Sequence, residues 1–162
     1  MESGAPVTLE RIRKGLTPEQ AERGMATAKA AGIDILVSII FGIGGKERSR
    51  EHIVETTKLL NIMKPEQIAP MALAAQPGTE LARQVETGEF IQATPLQILE
   101  EEKYLLENLA GFETVYWGDH ANNIISSKGI LPESQERFLR KIEYAIASHP
   151  VTEQDDLVTS PW

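Results

Sequence analysis

The most apolar part of the chain is the run Ile33–Phe41, which is followed directly by the glycine-rich segment Gly42–Gly45. Apolar residues occupy nearly every position, which predicts a strand at Ile35–Phe41 that is covered on both faces, as parallel strands are in α/β domains. Glycine allows a close approach of the backbone that a side chain would prevent. Because ligands of α/β folds bind beyond the carboxyl ends of the strands, a small-molecule site is expected near this turn.

Two helix starts have nearly the same sequence. Thr17-Pro18-Glu19-Gln20 and Thr94-Pro95-Leu96-Gln97 each place threonine at the N-cap, proline at the first helical position and glutamine at the third. This arrangement is the capping box, combined with proline where its missing N–H has no cost. It predicts one helix from Thr17 that ends near Gly32, and a second from Thr94 that continues to Gly111.

Other elements follow from the spacing of apolar and turn residues. A helix over Ser49–Lys64 would bury Ile53, Thr57 and Leu60 along one stripe. The remaining predictions are a strand at Gln67–Leu73, a short helix after Pro77-Gly78-Thr79, a short strand at Thr114–Trp117, a last helix from Pro132 that buries Phe138, Ile142 and Ile146, and a disordered tail at His149–Trp162. Alternating helices and strands predict an α/β fold with a parallel sheet, and so few strands indicate part of a larger domain.

Length and composition restrict the class of protein. The 162 residues suffice for one domain, and an apolar fraction of 41% is typical of a soluble globular protein. No apolar stretch reaches the about 20 residues that cross a bilayer, so a cytoplasmic location without membrane contact is expected. The net charge of −8 argues against direct binding to nucleic acid. The chain has no cysteine and therefore cannot by itself hold a thiolate-ligated metal or cluster.

Three polar or aromatic segments have simple structural interpretations. Glu100-Glu101-Glu102 is expected to be a solvated helix face, and Tyr116 and Trp117 are expected to contribute packing. The segment Asp119–Asn123 follows a predicted strand and contains a histidine. That histidine is expected to be an ordinary turn residue, and the segment has no predicted role.

Four short motifs occur in an order that resembles the C-terminal half of a radical S-adenosylmethionine (radical SAM) protein. Glu2-Ser3-Gly4 is similar to the end of the family's Gly-x-Glu-Ser-Gly segment, and Lys14-Gly15-Leu16-Thr17 to its later Arg/Lys-Gly-x-Thr segment. Ile40–Glu47 matches the fifth-strand motif, apolar-x-Gly-x-x-Gly-x-Glu, and Pro77-Gly78-Thr79 matches the turn after the sixth strand. The resemblance covers about Glu2 to Ala147 and is nearest to a bacterial subgroup of unassigned reaction.

This resemblance implies an α/β fold that is a partial (β/α) TIM-type barrel, containing the strands after the fourth. Residues 1–92 would form the C-terminal half of the barrel. Residues 93–148 would form a helical C-terminal extension with a short strand, and residues 149–162 the tail.

The resemblance also implies contacts to S-adenosylmethionine (SAM). Glu2 and Ser3 would hydrogen-bond the ribose or the methionine end, Lys14 would pair with the methionine carboxylate, and Phe41, Gly42 and Ile43 would line the adenine. No residue is predicted to be catalytic or to bind a metal. The family's Cys-x-x-x-Cys-x-x-Cys loop, which holds a 4Fe-4S cluster, has no counterpart in this sequence. The cluster would belong to the intact parent protein only, and SAM binding by this chain would be weak.

Three functions agree with these motifs. The first is a fragment or separately encoded half of a radical SAM enzyme, inactive alone. The second is a non-catalytic binding or interaction module derived from such a barrel. The third, a phosphate-binding protein, is the weakest because Phe41–Glu47 has no Walker lysine and hydroxyl. Arg11, Arg13 and Lys14 are consistent with either a solvated face or an anion site for a carboxylate.

The expected partner is either the N-terminal half of the barrel or a second copy of this chain. Either would pair with the strand Ile35–Phe41, whose outer edge would lack the neighbour that a complete barrel provides. Six of the seven residues of this strand are apolar, and it carries no charge that would oppose pairing.

Overall fold

The computed structural model describes residues 1–148. This part of the chain contains six helices and four strands, which are joined by turns and loops. The helices are α1 (Pro6–Arg11), α2 (Pro18–Ala30), α3 (Gly45–Met63), α4 (Glu80–Glu86), α5 (Pro95–Asn108) and α6 (Gln135–Ser148). The strands are β1 (Leu36–Phe41), β2 (Gln67–Ala72), β3 (Thr114–Gly118) and β4 (Ser127–Leu131). The predicted tail at 149–162 lies outside the described residues.

The four strands form one open, mixed sheet in the order β1–β2–β3–β4. β1, β2 and β3 are parallel, and β4 is antiparallel to β3. β1 and β2 pair along their whole length, whereas β2 and β3 pair only at Gln67↔Val115 and Ile68↔Tyr116. The predicted α/β class is confirmed. The prediction of a wholly parallel sheet is wrong because of β4, whose sequence Ser-Lys-Gly-Ile-Leu lacks the alternation of apolar and polar residues that identifies a strand.

The helix starts agree with the capping pattern. Both capping boxes form, with Thr17 and Gln20 at α2 and Thr94 and Gln97 at α5 exchanging side-chain and backbone hydrogen bonds. The helices without such a pattern are less well predicted: α3 begins at Gly45, four residues early, and α6 begins three residues after the predicted proline. Strong local capping therefore determines where a helix begins, and apolar spacing alone does not.

One face of the sheet packs against the helices and forms the core. Along β1, Val37, Ile39 and Phe41 are at most 4% exposed. They lie in one apolar cluster with residues of the other strands and of α3, α5 and α6, among them Ile53, Leu60, Ile68, Leu105, Tyr116, Phe138 and Ile142. The predicted buried stripe of α3 is confirmed, since Ile53, Thr57 and Leu60 are all buried.

The opposite face of the sheet is only partly covered, contrary to the prediction from the apolar run. Leu36 is 50% exposed, and Ser38 and Ile40 are half-buried. The strand register places on this same face the partly exposed Gln67, Ala69, Met71, Val115, Trp117 and Ile130. β1 therefore has apolar residues on both faces, but residues 1–148 cover only one of these faces fully.

The outer edge of β4 is closed by α6 and by the turn before it. The carbonyl oxygens of Ile130, Lys128 and Ser126 accept hydrogen bonds from Ser134 N–H at 2.8 Å, Arg137 Nη2 at 3.2 Å and Lys141 Nζ at 2.8 Å. These contacts occupy the carbonyl groups that an added strand would need. These three carbonyl oxygens are therefore not available to pair with a further strand at this edge.

The outer edge of β1 is covered at one end only. Ile40 N–H donates to the carbonyl oxygen of Glu2 at 3.0 Å, so the first residues of the chain lie beside the carboxyl end of the strand. The expectation that this edge is unpaired throughout is therefore wrong. By the alternation of the strand, the N–H and C=O groups of Leu36 and Ser38 point the same way, and no hydrogen bond reaches them from that side within residues 1–148.

Residues 93–148 share the sheet and the core with residues 1–92. β3 pairs with β2, and α5 packs against α3. The division of the chain between residues 92 and 93 stays a prediction. In residues 1–148, no helix is long and apolar enough to cross a membrane.

The side chain of Asn123 completes the hydrogen bonding of β2 beyond the end of its pairing with β3. Its Oδ1 accepts from Ala72 N–H at 2.8 Å, and its Nδ2 donates to the carbonyl oxygen of Pro70 at 3.1 Å. An amide side chain thus takes the place of a neighbouring strand. This contact gives a structural role to one residue of the segment Asp119–Asn123.

We expect Asn123→Ala to lower the free energy of unfolding by about 1–3 kcal/mol, because it leaves two backbone groups of β2 without partners. Urea unfolding followed by circular dichroism measures this loss. Asn122→Ala is the matched control and should have a small effect, because within residues 1–148 only the backbone of Asn122 makes a hydrogen bond. Equal losses in the two variants would contradict this role of Asn123.

Candidate functional site

A cavity of about 620 Å³ lies at the carboxyl ends of β1 and β2, between α1 and α4. Ile43 and Gly44, which follow β1, and Leu73, which follows β2, form part of its wall. Phe90 closes it from the loop before α5. The cavity is therefore where the glycine-rich turn predicts a small-molecule site.

The cavity combines an apolar wall with charged residues. Ile12, Ile43, Leu73, Leu81 and Phe90 provide the apolar surface, and Arg11, Arg13, Glu80 and Glu89 also line it. Both carboxylates bind Arg83, with Nη2–oxygen distances of 2.7 and 2.9 Å. The Arg83 hydrogen bond lowers the pKa of Glu80 to about 2. Within residues 1–148, Arg11 and Arg13 have no carboxylate within 4.0 Å, so both can interact with an anionic group of a ligand.

The turn Gly42–Gly45 requires glycine at both ends. Gly42 has φ +80° and Gly45 has φ +69°, a region that other residues rarely adopt. A Cβ at Gly45 would also lie 2.9 Å from the carbonyl oxygen of Ile91. The turn therefore packs closely against the loop before α5, and its shape depends on that loop.

Of the three residues predicted to line an adenine, only Ile43 has its side chain on the cavity. Phe41 is 1% exposed and belongs to the helix-facing core. Gly42 N–H donates to Oε2 of Glu101 at 2.7 Å, so this backbone donor already has a protein acceptor. The turn contacts the cavity through Ile43 and Gly44.

Glu2 and Lys14 bind each other. Lys14 Nζ lies 2.7 Å from Oε1 of Glu2. Partial burial alone would raise the pKa of Glu2, but the hydrogen bond from Lys14 and the nearby N-terminal amine lower it overall. The second oxygen, Oε2, is buried and has no hydrogen-bond partner in residues 1–148. Because that oxygen is buried and neither residue lines the cavity, the pair as it stands offers no contact to a ligand there.

Ser3 is fully buried and makes contacts inside the protein. Its Oγ lies 2.8 Å from Nδ1 of His52, and it accepts a hydrogen bond from Ala5 N–H at 3.0 Å. Burial lowers the pKa of His52 to about 4, an effect that the Ile40 carbonyl partly opposes, so the imidazole is neutral at pH 7. Ser3 Oγ and His52 Nδ1 share one hydrogen bond, and the imidazole tautomer decides which of the two donates.

The prediction that Glu100-Glu101-Glu102 is a solvated helix face is wrong for two of its three residues, and Glu100 alone is exposed. Glu101 is 1% exposed and Glu102 is 3% exposed. Glu101 accepts from Gly42 N–H and lies 2.6 Å from Oγ of Ser49, while Glu102 lies 3.0 Å from the hydroxyl of Tyr116. Burial raises the pKa of each carboxyl to about 7, against the lowering effect of these hydrogen bonds.

Helical spacing contains a signal for this burial. Ile98 and Leu105 are buried one heptad apart, and positions 101 and 102 lie between them on the same side of α5. The prediction of a solvated face followed from the acidic composition of this segment and not from the position of its residues on the helix. Oε2 of Glu101 is 3.8 Å from Nε2 of His52, but burial favours the neutral form of both groups, so the contact is not a charged pair.

Comparison with protein-family models and with curated proteins finds no match for this chain. In residues 1–148, no group of three or more histidine, aspartate or glutamate side chains could hold a metal ion.

We expect the free energy of unfolding to fall between pH 5.5 and pH 7.5. An acid with a raised pKa stabilises the fold below its unfolded-state pKa, and this contribution is lost as the pH rises through the folded-state value of about 7. Glu101 and Glu102 both act in this direction. His52 acts in the opposite direction, because its stabilising contribution is present above pH 6.5 and is lost as the pH falls toward about 4.

Urea unfolding at several pH values measures this pH dependence. Glu101→Gln should make the decrease in the free energy of unfolding shallower by up to about 1.4 kcal/mol per pH unit, because the variant has one proton fewer to release when it unfolds. Glu100→Gln is the control, since Glu100 is exposed on the same helix and should leave the profile unchanged. A profile that is the same in wild type and Glu101→Gln would contradict burial of an ionisable carboxyl.

Proposed function

We propose that this chain is the C-terminal part of a radical SAM barrel and that it contributes one side of a SAM pocket without catalysing a reaction alone. The observation that carries this proposal is the position of two of the motifs that resemble that family. Glu2–Gly4 and Ile40–Glu47 are far apart in the sequence but adjacent in space, because Ile40 N–H donates to the carbonyl oxygen of Glu2. Ile43 and Gly44 of the second motif also line the cavity.

The sheet supports a partial (β/α) barrel. Three parallel strands have helices against one face, and the other face is partly open, as expected for a barrel segment whose inner face would meet further strands. The closed edge of β4 leaves β1 as the edge at which a strand would be added. In this proposal, the N-terminal half of the barrel would continue the sheet from β1.

The cavity suits a nucleoside with a charged tail. Its volume is within the about 300–1,000 Å³ of small-molecule sites, and Ile43, Leu73 and Phe90 offer apolar contact to a flat ring. The methionine end of SAM carries both an ammonium and a carboxylate. In this proposal Lys14 would bind the carboxylate and Glu2 the ammonium, and both side chains would have to leave their mutual ion pair to do so, because neither lines the cavity.

Radical chemistry needs a 4Fe-4S cluster, which would donate the electron that cleaves SAM to a 5′-deoxyadenosyl radical. This chain has no thiolate to hold such a cluster, so it does not fit one. The proposed role of its residues is to bind and orient SAM, with the cysteines supplied by another segment or chain.

A non-catalytic binding module is the second candidate function. It is favoured by the internal contacts of the predicted ligand residues, because Ser3 is bound to His52, Glu2 to Lys14 and Gly42 to Glu101. In such a module the open sheet face, with Leu36 and Ile130 about half exposed at 50% and 46%, would be the contact surface.

We expect SAM to bind no tighter than about 1 mM, because the cluster that normally chelates its amino and carboxylate groups is not held by this chain. Amide chemical-shift changes at Ile43, Gly44 and Leu73 during titration measure this binding. Lys14→Gln should weaken SAM binding but leave adenosine binding unchanged, since adenosine has no carboxylate. Lys29→Gln is the control, because Lys29 pairs with Glu66 instead. Binding with no shifts around the cavity would contradict the proposed function.

We expect the chain to self-associate through β1 when no barrel half is supplied. Ser38→Lys should reduce this association, because it places a charge on the open face beside the free edge groups of Leu36 and Ser38. Ile62→Lys is the control, since Ile62 is 60% exposed on α3, away from the sheet. Sedimentation over a range of concentrations measures the effect, and a monomer with slowly exchanging Leu36 and Ser38 amides would contradict it.

A further inference from the structure

The glycine-rich turn beside the cavity is held in place by a helix that follows it by about fifty residues. Glu101 of α5 accepts the N–H of Gly42 at 2.7 Å. Gly42 is buried, so without this acceptor its N–H would be an unsatisfied buried donor. A single carboxyl oxygen therefore fixes the first residue of the turn.

The carboxyl group itself has one well-defined position. Its other oxygen lies 2.6 Å from Oγ of Ser49 in α3, and the side chain is 1% exposed. The far side of the turn is held from the same direction, because Lys46 N–H donates to Ile91 C=O at 2.8 Å and Gln97 Nε2 donates to Lys46 C=O at 2.9 Å. The turn is thus clamped at both ends by α5 and the loop before it.

The same carboxyl group lies next to the contacts of the N-terminal segment. His52 Nε2 is 3.8 Å from Glu101 Oε2 and has no hydrogen-bond partner in residues 1–148, while His52 Nδ1 binds Ser3. Glu101 is therefore bonded to the turn Gly42–Gly45 and lies near His52, the residue that binds Ser3.

We propose that Glu101 is a positioning residue for the cavity, which fixes the turn Gly42–Gly45 and thereby the place of Ile43 in the cavity wall. The ligand class rests on the proposed function, but the positioning role does not. Glu101 does not line the cavity and acts only through the backbone of the turn.

The chemistry of the contact explains which substitution should preserve it. Ser49 Oγ–H donates to one oxygen of Glu101, and Gly42 N–H donates to the other. In Glu101→Gln the side chain keeps this shape: its carbonyl oxygen accepts from Gly42 N–H, and its NH₂ donates to Ser49 Oγ, whose hydroxyl can also accept. Alanine leaves the Gly42 N–H without an acceptor, and also removes buried volume.

The charged groups near Glu101 come from two helices. His52 of α3 is neutral and faces it, as described above. The solvent groove on its other side is lined by Lys46, Glu47, Arg50, Glu100, Lys103 and Glu107, three cations and three anions. Because these charges balance, neither sign is expected to dominate their effect on the pKa of Glu101.

The experiment compares Glu101→Gln and Glu101→Ala with Glu102→Ala in the full chain. Glu102 is equally buried, but it contacts Tyr116 and not the turn. We expect Glu101→Ala to speed amide exchange at Gly42–Gly45 about tenfold relative to the core strands, and to weaken adenosine binding by a similar factor. Glu101→Gln should retain both properties, and Glu102→Ala should lower stability without changing either relative to the core.

A spectroscopic test remains informative if the alanine variant does not fold. The amide proton resonance of Gly42 should shift as Glu101 ionises, with a midpoint near its pKa of about 7, because the hydrogen bond becomes charge-assisted. This titration should disappear in Glu101→Gln and persist in Glu102→Gln. A Gly42 titration that survives Glu101→Gln, or exchange and adenosine affinity unchanged in Glu101→Ala, would overturn the positioning role. If wild type does not bind adenosine, the proposed function fails, and exchange and titration still decide the role of Glu101.

Discussion

The hydrogen bond from Gly42 N–H to the buried carboxyl of Glu101 is the contact on which the carboxyl edge of this sheet depends. A buried donor without an acceptor is costly, so the turn after β1 can take its shape only where α5 provides one. Ser49 orients that carboxyl, and His52 lies between it and Ser3. Segments from both ends of the fold are thus linked through one polar cluster inside an apolar core, and the cavity is formed where they meet.

The sheet is asymmetric in two respects, and both affect what the chain could bind. One face carries the core and the other is partly open. One edge is closed by α6 and the turn before it, whereas the other is covered only at the carboxyl end of β1. A strand added to β1 would extend the sheet and its open face together. The barrel segment that we propose would be completed at this edge.

The charged residues near the carboxyl edge of the sheet differ in how far the protein already satisfies them. Glu2 and Lys14 pair with each other and do not line the cavity. Arg11 and Arg13 do line it, and within residues 1–148 they have no carboxylate within 4.0 Å. An anionic group in the cavity would therefore bind these arginines without displacing an internal ion pair.

The sequence alone determined the features that depend on neighbouring residues: the α/β class, both capping boxes, the buried stripe of α3 and the glycine turn after a buried strand. Only the tertiary structure decided the burial of Glu101 and Glu102, the commitment of Ser3 to His52 and the pairing of β4. The physical reason is the range of the interactions. Caps and apolar stripes form between residues within four or five positions, whereas a buried carboxyl is stable only if donors from distant segments reach it. The acidic sequence of α5 does not contain those donors, which come from the turn after β1, from α3 and from β3.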